Sequence, residues 1–323
     1  MALLSGKVIV ITGASSGVGR AMANALAEQG AILILAARDE EALEEAAKEC
    51  RELGGVSYAI PTDTRIAAEV QDLANTATAL TGELFAWINN AGVMAIGALD
   101  QVPAEINEEV IRTNLLGYIN GAQVALPIFK RQGHGIIINN ISIGGWFPTP
   151  YATAYSASKF GLRGFSEALK GEIKHFPGIS IVDLYPSFLD TPGLQHAANY
   201  TGKVIRPLPP LVDPRTVANA VVRLLIRPKP RKVVGFPTMA LRLSYLLFPA
   251  CTRNITGYVI RTYLKRAPEI ELTSGSVLKP VPFGTSIDGG WRKEMNPSTR
   301  VAGLGLAALA GIGALIVTMN RRK

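Results

Sequence analysis

Short apolar runs alternate with amphipathic stretches over the first 235 or so residues. Seven runs read as strands: Lys7–Thr12, Ala31–Ala37, Val56–Ile60, Leu84–Asn89, Gly135–Ser142, Ile179–Tyr185 and Lys232–Phe236. Val8-Ile9-Val10-Ile11 and Ile136-Ile137-Ile138 lack polar alternation, as expected of strands covered on both faces. Helical patterns lie between them, such as Glu40–Leu53 with one apolar and one charged face. This repeated β-α order predicts an α/β fold: a Rossmann-like, doubly wound parallel sheet of about seven strands with helices on both faces.

That body ends near residue 238, and over 239–267 the character changes. Leucines, tyrosines and Phe248 interleave with Arg242, Arg253, Arg261, Lys265 and Arg266. The uncharged run Leu243–Thr252 is too short to span a bilayer, so the segment reads either as a membrane-interface helix or as a helical cap on the body. Residues 268–299 are rich in Pro, Gly, Ser and Thr, the composition of a linker. Val301–Met319 then carries no charge in 19 residues and is bracketed by Arg300 and Arg321-Arg322-Lys323. As a helix it is roughly 28 Å long at ~1.5 Å per residue, near one hydrocarbon thickness. A transmembrane helix over 300–320 is the expectation, with Ala307 and Gly311 spaced to pack against another helix.

Charge sharpens this division. The net +8 is uneven: residues 201–323 hold 20 Lys+Arg against 5 Asp+Glu, and the first 200 hold 13 against 20. A basic tail set among Leu, Tyr and Phe favours a membrane surface over nucleic acid. Cys50 and Cys251 are far apart, and His134, His175 and His196 form no cluster, so no metal site is expected and the thiols read as reduced. No cleavable signal precedes the first strand pattern, which places the body on the cytosolic side of the expected anchor.

Thr12-Gly13-Ala14-Ser15-Ser16-Gly17-Val18-Gly19 follows the first strand and opens a helix. Gly13 permits the tight turn, Gly17 lets backbone N–H groups approach a pyrophosphate, and Gly19 permits close helix–strand packing. The second strand ends at Ala37, followed by Arg38. An acidic group here would bind the 2′-hydroxyl of NAD, whereas Arg38 could pair with the 2′-phosphate of NADP. Ser15 and Ser16 could add hydroxyl contacts, and NADP is the expected cofactor. Asp39 either opposes this or begins the next helix. Tyr155 and Lys159 are four apart and share one helix face. An ammonium beside a phenol favours the phenolate, so the Tyr155 pKa is expected to fall toward working pH, which suits proton exchange with a carbonyl or alcohol oxygen.

With these motifs the chain resembles the short-chain dehydrogenases/reductases over roughly residues 5–236. The resemblance rests on the glycine motif at 12–19, Asn89-Asn90-Ala91-Gly92 after the fourth strand, Ser142 after the fifth and Tyr155-x-x-x-Lys159. Pro186-Ser187-Phe188-Leu189-Asp190-Thr191 looks like the family's Pro-Gly-x-x-x-Thr segment, with Ser187 in place of glycine. The resemblance implies an oxidoreductase with Tyr155 as acid/base, Ser142 polarising the carbonyl, Lys159 lowering the Tyr155 pKa and binding the nicotinamide ribose, and Asn114 supporting a proton relay. It implies cofactor contacts from the glycine loop, including Val18, and from Asp63, Asn90, Ala91, Gly92, Pro186 and Thr191. It also implies homo-oligomers packed through the helices around 103–131 and 152–175.

Trp146-Phe147-Pro148, Phe188 and Leu189 are expected at the mouth of an apolar pocket. With the anchor, they point to a lipophilic substrate such as a sterol, retinoid or acyl-chain carbonyl. The alternatives are a 3-oxoacyl thioester reductase and a catalytically silent, membrane-tethered nucleotide-sensing scaffold.

Overall fold

A computed structural model describes residues 3–292. Seven strands form one parallel sheet: β1 (Val8–Thr12), β2 (Ile32–Ala37), β3 (Val56–Pro61), β4 (Ala86–Asn89), β6 (Gly135–Asn140), β7 (Ile179–Pro186) and β9 (Arg231–Val234). Their spatial order is β3-β2-β1-β4-β6-β7-β9. Two further strands, β5 (Ala95–Ile96) and β8 (Ala198–Asn199), make a separate parallel pair. At two residues each, they are too short to show a period in the sequence.

The uniformly apolar strands feed two cores. Ile9, Ile11, Leu33 and Leu35 face α1 (Gly17–Ala27), α2 (Glu40–Glu52) and α7 (Pro214–Ile226). Val8, Val10 and Ile34 face α3 (Ala67–Thr81), α5 (Gly117–Gln132) and α6 (Thr153–Glu172). Each fully buried Ile or Leu is worth about 1.5–3 kcal/mol, so both faces hold the sheet. Asp39 begins the next helix: its carboxylate caps α2 by accepting from Ala42 N at 3.1 Å.

Strand order reverses beside β1, between β2 on one side and β4 on the other, and the cleft outside their carboxyl ends is where such sheets bind ligands. α4 (Ala104–Ile111) joins α5 through one π-helical turn, Arg112–Leu116. The segment at 239–267 forms most of two helices, α8 (Phe236–Leu247) and α9 (Pro249–Arg266). Residues 268–292, within the expected linker, lie against the body, with Val277 fully buried beside Ile106 and Val110. The expected transmembrane stretch at 300–320 lies outside the described residues. Among those described, no helix is long and apolar enough to cross a membrane.

Candidate active site

The glycine loop is shaped by close backbone approach. Gly13 has φ +65°, and a Cβ there would sit 2.7 Å from Ala91 Cα; one on Gly19 would sit 1.9 Å from Gly13 O. Asn90 braces the loop, its Nδ2 donating to Thr12 O at 3.1 Å and Gly13 O at 3.0 Å, while Asn140 Nδ2 donates to its Oδ1 at 2.8 Å. The resemblance implies a cofactor contact from Asn90; its amide holds the turn, and the residue borders the cleft.

That cleft encloses a cavity of about 530 Å³, and every residue nominated for the cofactor lines it, from Gly13 to Thr191. Its floor contains groups whose chemistry suits a dinucleotide: the opening N–H groups of α1, the Arg38 guanidinium, and two residues with a buried polar atom lacking a partner, Asn140 (Oδ1) and Ser187 (Oγ). Ser187, in place of the expected glycine, is accommodated by Gly235, where a Cβ would meet Ser187 Cβ at 2.7 Å. Asp63 is ion-paired to Arg65 at 2.5 Å. Burial opposes its ionisation, but the Arg65 hydrogen bonds prevail and hold its carboxyl below the usual range.

At the inner end, Ser142 follows β6 with φ +91°, a strained backbone for a residue with a side chain. Tyr155 and Lys159 sit one turn apart on α6, the ammonium 5.7 Å from the Tyr155 ring centroid and 5.1 Å from that of Tyr118. Lys159 Nζ donates to Asn140 O at 3.3 Å. Asn114 is fully buried behind the cavity. It donates to Val93 O and accepts from Val93 N, both at 2.8 Å, and its Nδ2 reaches Ser158 Oγ at 3.3 Å. The π-helical turn carries it into that position.

One electrostatic expectation is corrected. The Tyr155 pKa is raised, because burial outweighs the hydrogen bond from Ser142 that lowers it. Burial acts on the lysine too, bringing Lys159 down to about 7. Both groups shed charge in a low-dielectric setting, so the partner that was to favour the phenolate is itself weakened as a cation.

The apolar end also differs from expectation. Trp146 is buried and stacks on Tyr185 with ring centroids 3.8 Å apart, while the Arg242 guanidinium lies 4.2 Å from the Trp146 ring centroid as a cation–π partner. Phe147 meets Tyr245 edge-on at 6.1 Å. The short helical turn Ile143–Gly145 aims both rings away from the cavity and into the seat of α8. Phe188 and Leu189 do line the cavity, joined by Val259, Ile260, Tyr263 and Leu264 of α9. The i, i+1, i+4, i+5 spacing of those four was the available signal, since it marks one helix face.

Comparison with known proteins agrees with this geometry. Residues 7–200 match the short chain dehydrogenase family. An uncharacterized oxidoreductase, YxnA of Bacillus subtilis, is 33% identical over 255 residues, covering 78% of this chain and 72% of its own. An 11-beta-hydroxysteroid dehydrogenase A of Sesamum indicum is 35% identical over 58% of this chain and 54% of its own. Ketoacyl reductase HetN of a Nostoc strain is 30% identical over 70% and 77%. The solved structure of an alcohol dehydrogenase from the archaeon Thermococcus sibiricus, complexed with 5-hydroxy-NADP, superposes with a TM-score of 0.63 at 28% identity, covering 71% of this chain and 95% of that one. The chain belongs to the short chain dehydrogenase family and is a nicotinamide-dependent dehydrogenase or reductase.

Proposed function

We propose that the enzyme reduces a lipophilic ketone or aldehyde with NADPH at a membrane surface. The observation that carries the substrate class is the α9 wall: Val259, Ile260, Tyr263 and Leu264 close an apolar chamber in front of Ser142 and Tyr155. When bound, the nicotinamide supplies the hydride. Tyr155 Oη gives a proton to the substrate oxygen as the alcohol forms, and takes it back in the reverse direction. The Ser142 hydroxyl donates to the same oxygen and fixes its position. Lys159 holds the ribose and returns a proton toward Tyr155, and Asn114 keeps the relay path in place. Arg38, with Ser15 and Ser16, receives the 2′-phosphate. Burial suits the acid role of Tyr155: a phenol held neutral keeps its proton until the oxygen of the product needs it.

The membrane reading is supported by α8 and α9. Phe236, Met239, Leu243, Leu246 and Leu247 are exposed along one side of α8, Phe236 at 78% and Leu246 at 71%. Residues 236–268 hold five basic and no acidic side chains, a complement to anionic lipid. An anchor over 300–320 would hold that face at the bilayer with the body in the cytosol, and the protein would form homo-oligomers through α4–α5 and α6. The second reading, a 3-oxoacyl thioester reductase, is favoured by the ketoacyl reductase relative. Detergent-solubilised protein with NADPH or NADH, screened against long-chain, steroid-like, thioester and sugar carbonyls, tests all of this. Preference for a sugar removes the lipophilic reading, and preference for NADH removes the role of Arg38.

A further inference from the structure

The strap over residues 273–292 crosses the cofactor cleft and is fixed at both ends by different means. At one end Val277 is fully buried, in a cluster with Ala95, Val102 and Ile106. The backbone oxygens of Ser276, Val277 and Leu278 there accept from the Arg38 guanidinium, the latter two at 3.1 and 3.4 Å. At the other end the hold is polar: the buried Asp190 carboxylate accepts from Trp291 N at 2.8 Å and Arg292 N at 3.2 Å, and the remaining ionic partners are partly exposed. Arg292 pairs with Asp190 at 2.9 Å, Asp213 at 2.8 Å and Asp288 at 3.0 Å, and Arg215 pairs with Asp288 at 2.7 Å.

Between the anchors the strap passes over the glycine loop. Gly284 O pairs with His196 Nε2 at 2.8 Å, and Thr285 O accepts from Arg20 at 2.9 Å. Ser286 O accepts from Gly17 N at 3.0 Å. Gly17 is the first residue of α1, and its N–H is one of the donors that a helix start offers to an anion.

We propose that residues 279–292 are the exchange gate of the cofactor site: hinged at Val277, latched by Arg292, and in competition with the dinucleotide pyrophosphate for the Gly17 N–H. This rests on the dinucleotide occupying the cleft as described above. The two anchors differ in how readily they open. Freeing Val277 exposes a core side chain, whereas three of the four latch ion pairs are partly exposed on both sides and exchange their partners for water at little cost; the Arg292–Asp190 pair, whose carboxylate is buried, is the contact that holds the latch shut. The latch end therefore lifts first, and it is the end that carries Ser286 off Gly17. The Arg38 end stays, so its three backbone acceptors keep the guanidinium oriented while the cofactor comes and goes. Apparent affinity is the intrinsic affinity reduced by the fraction of molecules with the gate open.

Hydrogen exchange on the full-length, detergent-solubilised protein, with and without saturating NADP⁺, separates the outcomes. Binding slows exchange in the peptide Gly13–Gly19. The gate requires that peptides covering 283–291 exchange faster in the same sample while those at 276–278 do not change. Slower exchange at 283–291 alongside a protected glycine loop would mean that the strap closes onto bound cofactor, and overturns the competition. An unprotected glycine loop overturns the cofactor reading itself. Arg292→Ala, checked for an intact fold by circular dichroism, should associate with NADPH several-fold faster and bind it more tightly in stopped-flow fluorescence. Unchanged or slower association overturns the latch.

Discussion

Lys159 donates its Nζ to the backbone oxygen of Asn140, at 3.3 Å, and that oxygen is shared with the Tyr118 hydroxyl at 3.0 Å. A neutral carbonyl does little to offset the burial of an ammonium, and the lysine is lowered to about 7. The unfolded chain keeps that proton until about pH 10.4. Between about 7 and that value the unfolded state binds more protons, so stability rises with pH; below the window both states are protonated and the slope disappears. Lys159→Met should flatten the rise in melting temperature between about pH 7 and 10. Equal slopes in the two proteins would assign the titration to another group.

Tyr155→Phe removes the transferable proton and keeps the ring. Turnover should fall by roughly 10²–10⁴ with NADPH affinity unchanged. Turnover at the wild-type level would reject the acid/base assignment.

Arg38→Ala separates two duties of one guanidinium. Loss of its hold on the strap affects both cofactors alike, whereas loss of a charge-assisted bond of about 1.5–3 kcal/mol affects only the phosphorylated one, by roughly 10–100-fold. The NADPH-to-NADH ratio of kcat/KM cancels the first and reports the second. A ratio that does not move would show that the 2′-phosphate is bound elsewhere.

Leu246→Glu acts on a side chain that is 71% exposed, so the melting temperature should hold. Activity on a substrate dissolved in anionic vesicles should drop, while activity on the same substrate in detergent should not. Equal activity in both settings would rule out the α8 face as the lipid contact.

Asn114→Ala strips both partners from the Val93 backbone. Leaving buried polar groups unpaired should cost about 1–3 kcal/mol, read by urea unfolding. A neutral result would mean that water replaces the amide.

The sheet, the glycine loop and the Tyr155–Lys159 pair were legible because each is local. Strand apolarity, a strand-turn-helix glycine pattern and an i, i+4 spacing all lie within a few residues. What escaped depends on distant partners. The strap was invisible because the body's arginines bind its backbone oxygens, and a carbonyl is the same in any sequence; its Pro and Gly content reads as a linker. Trp146 and Phe147 have the composition of a pocket mouth, but the turn after Ser142 aims them at Tyr185 and Tyr245. The direction of the Tyr155 shift was missed because burial, which dominates it, is set by the whole fold.

The π-helical turn at Arg112–Leu116 acts as a phase shifter. It advances the helical run by a residue, so that α4 sends Ile106 and Val110 to one core while α5 sends Ala122 and Phe129 to another. Two registers coexist in one continuous rod. A single deletion there would restore regular winding and swing the buried amide of Asn114 off Val93, together with Thr113 of the cavity lining, so length within those five positions constrains the enzyme as well as identity.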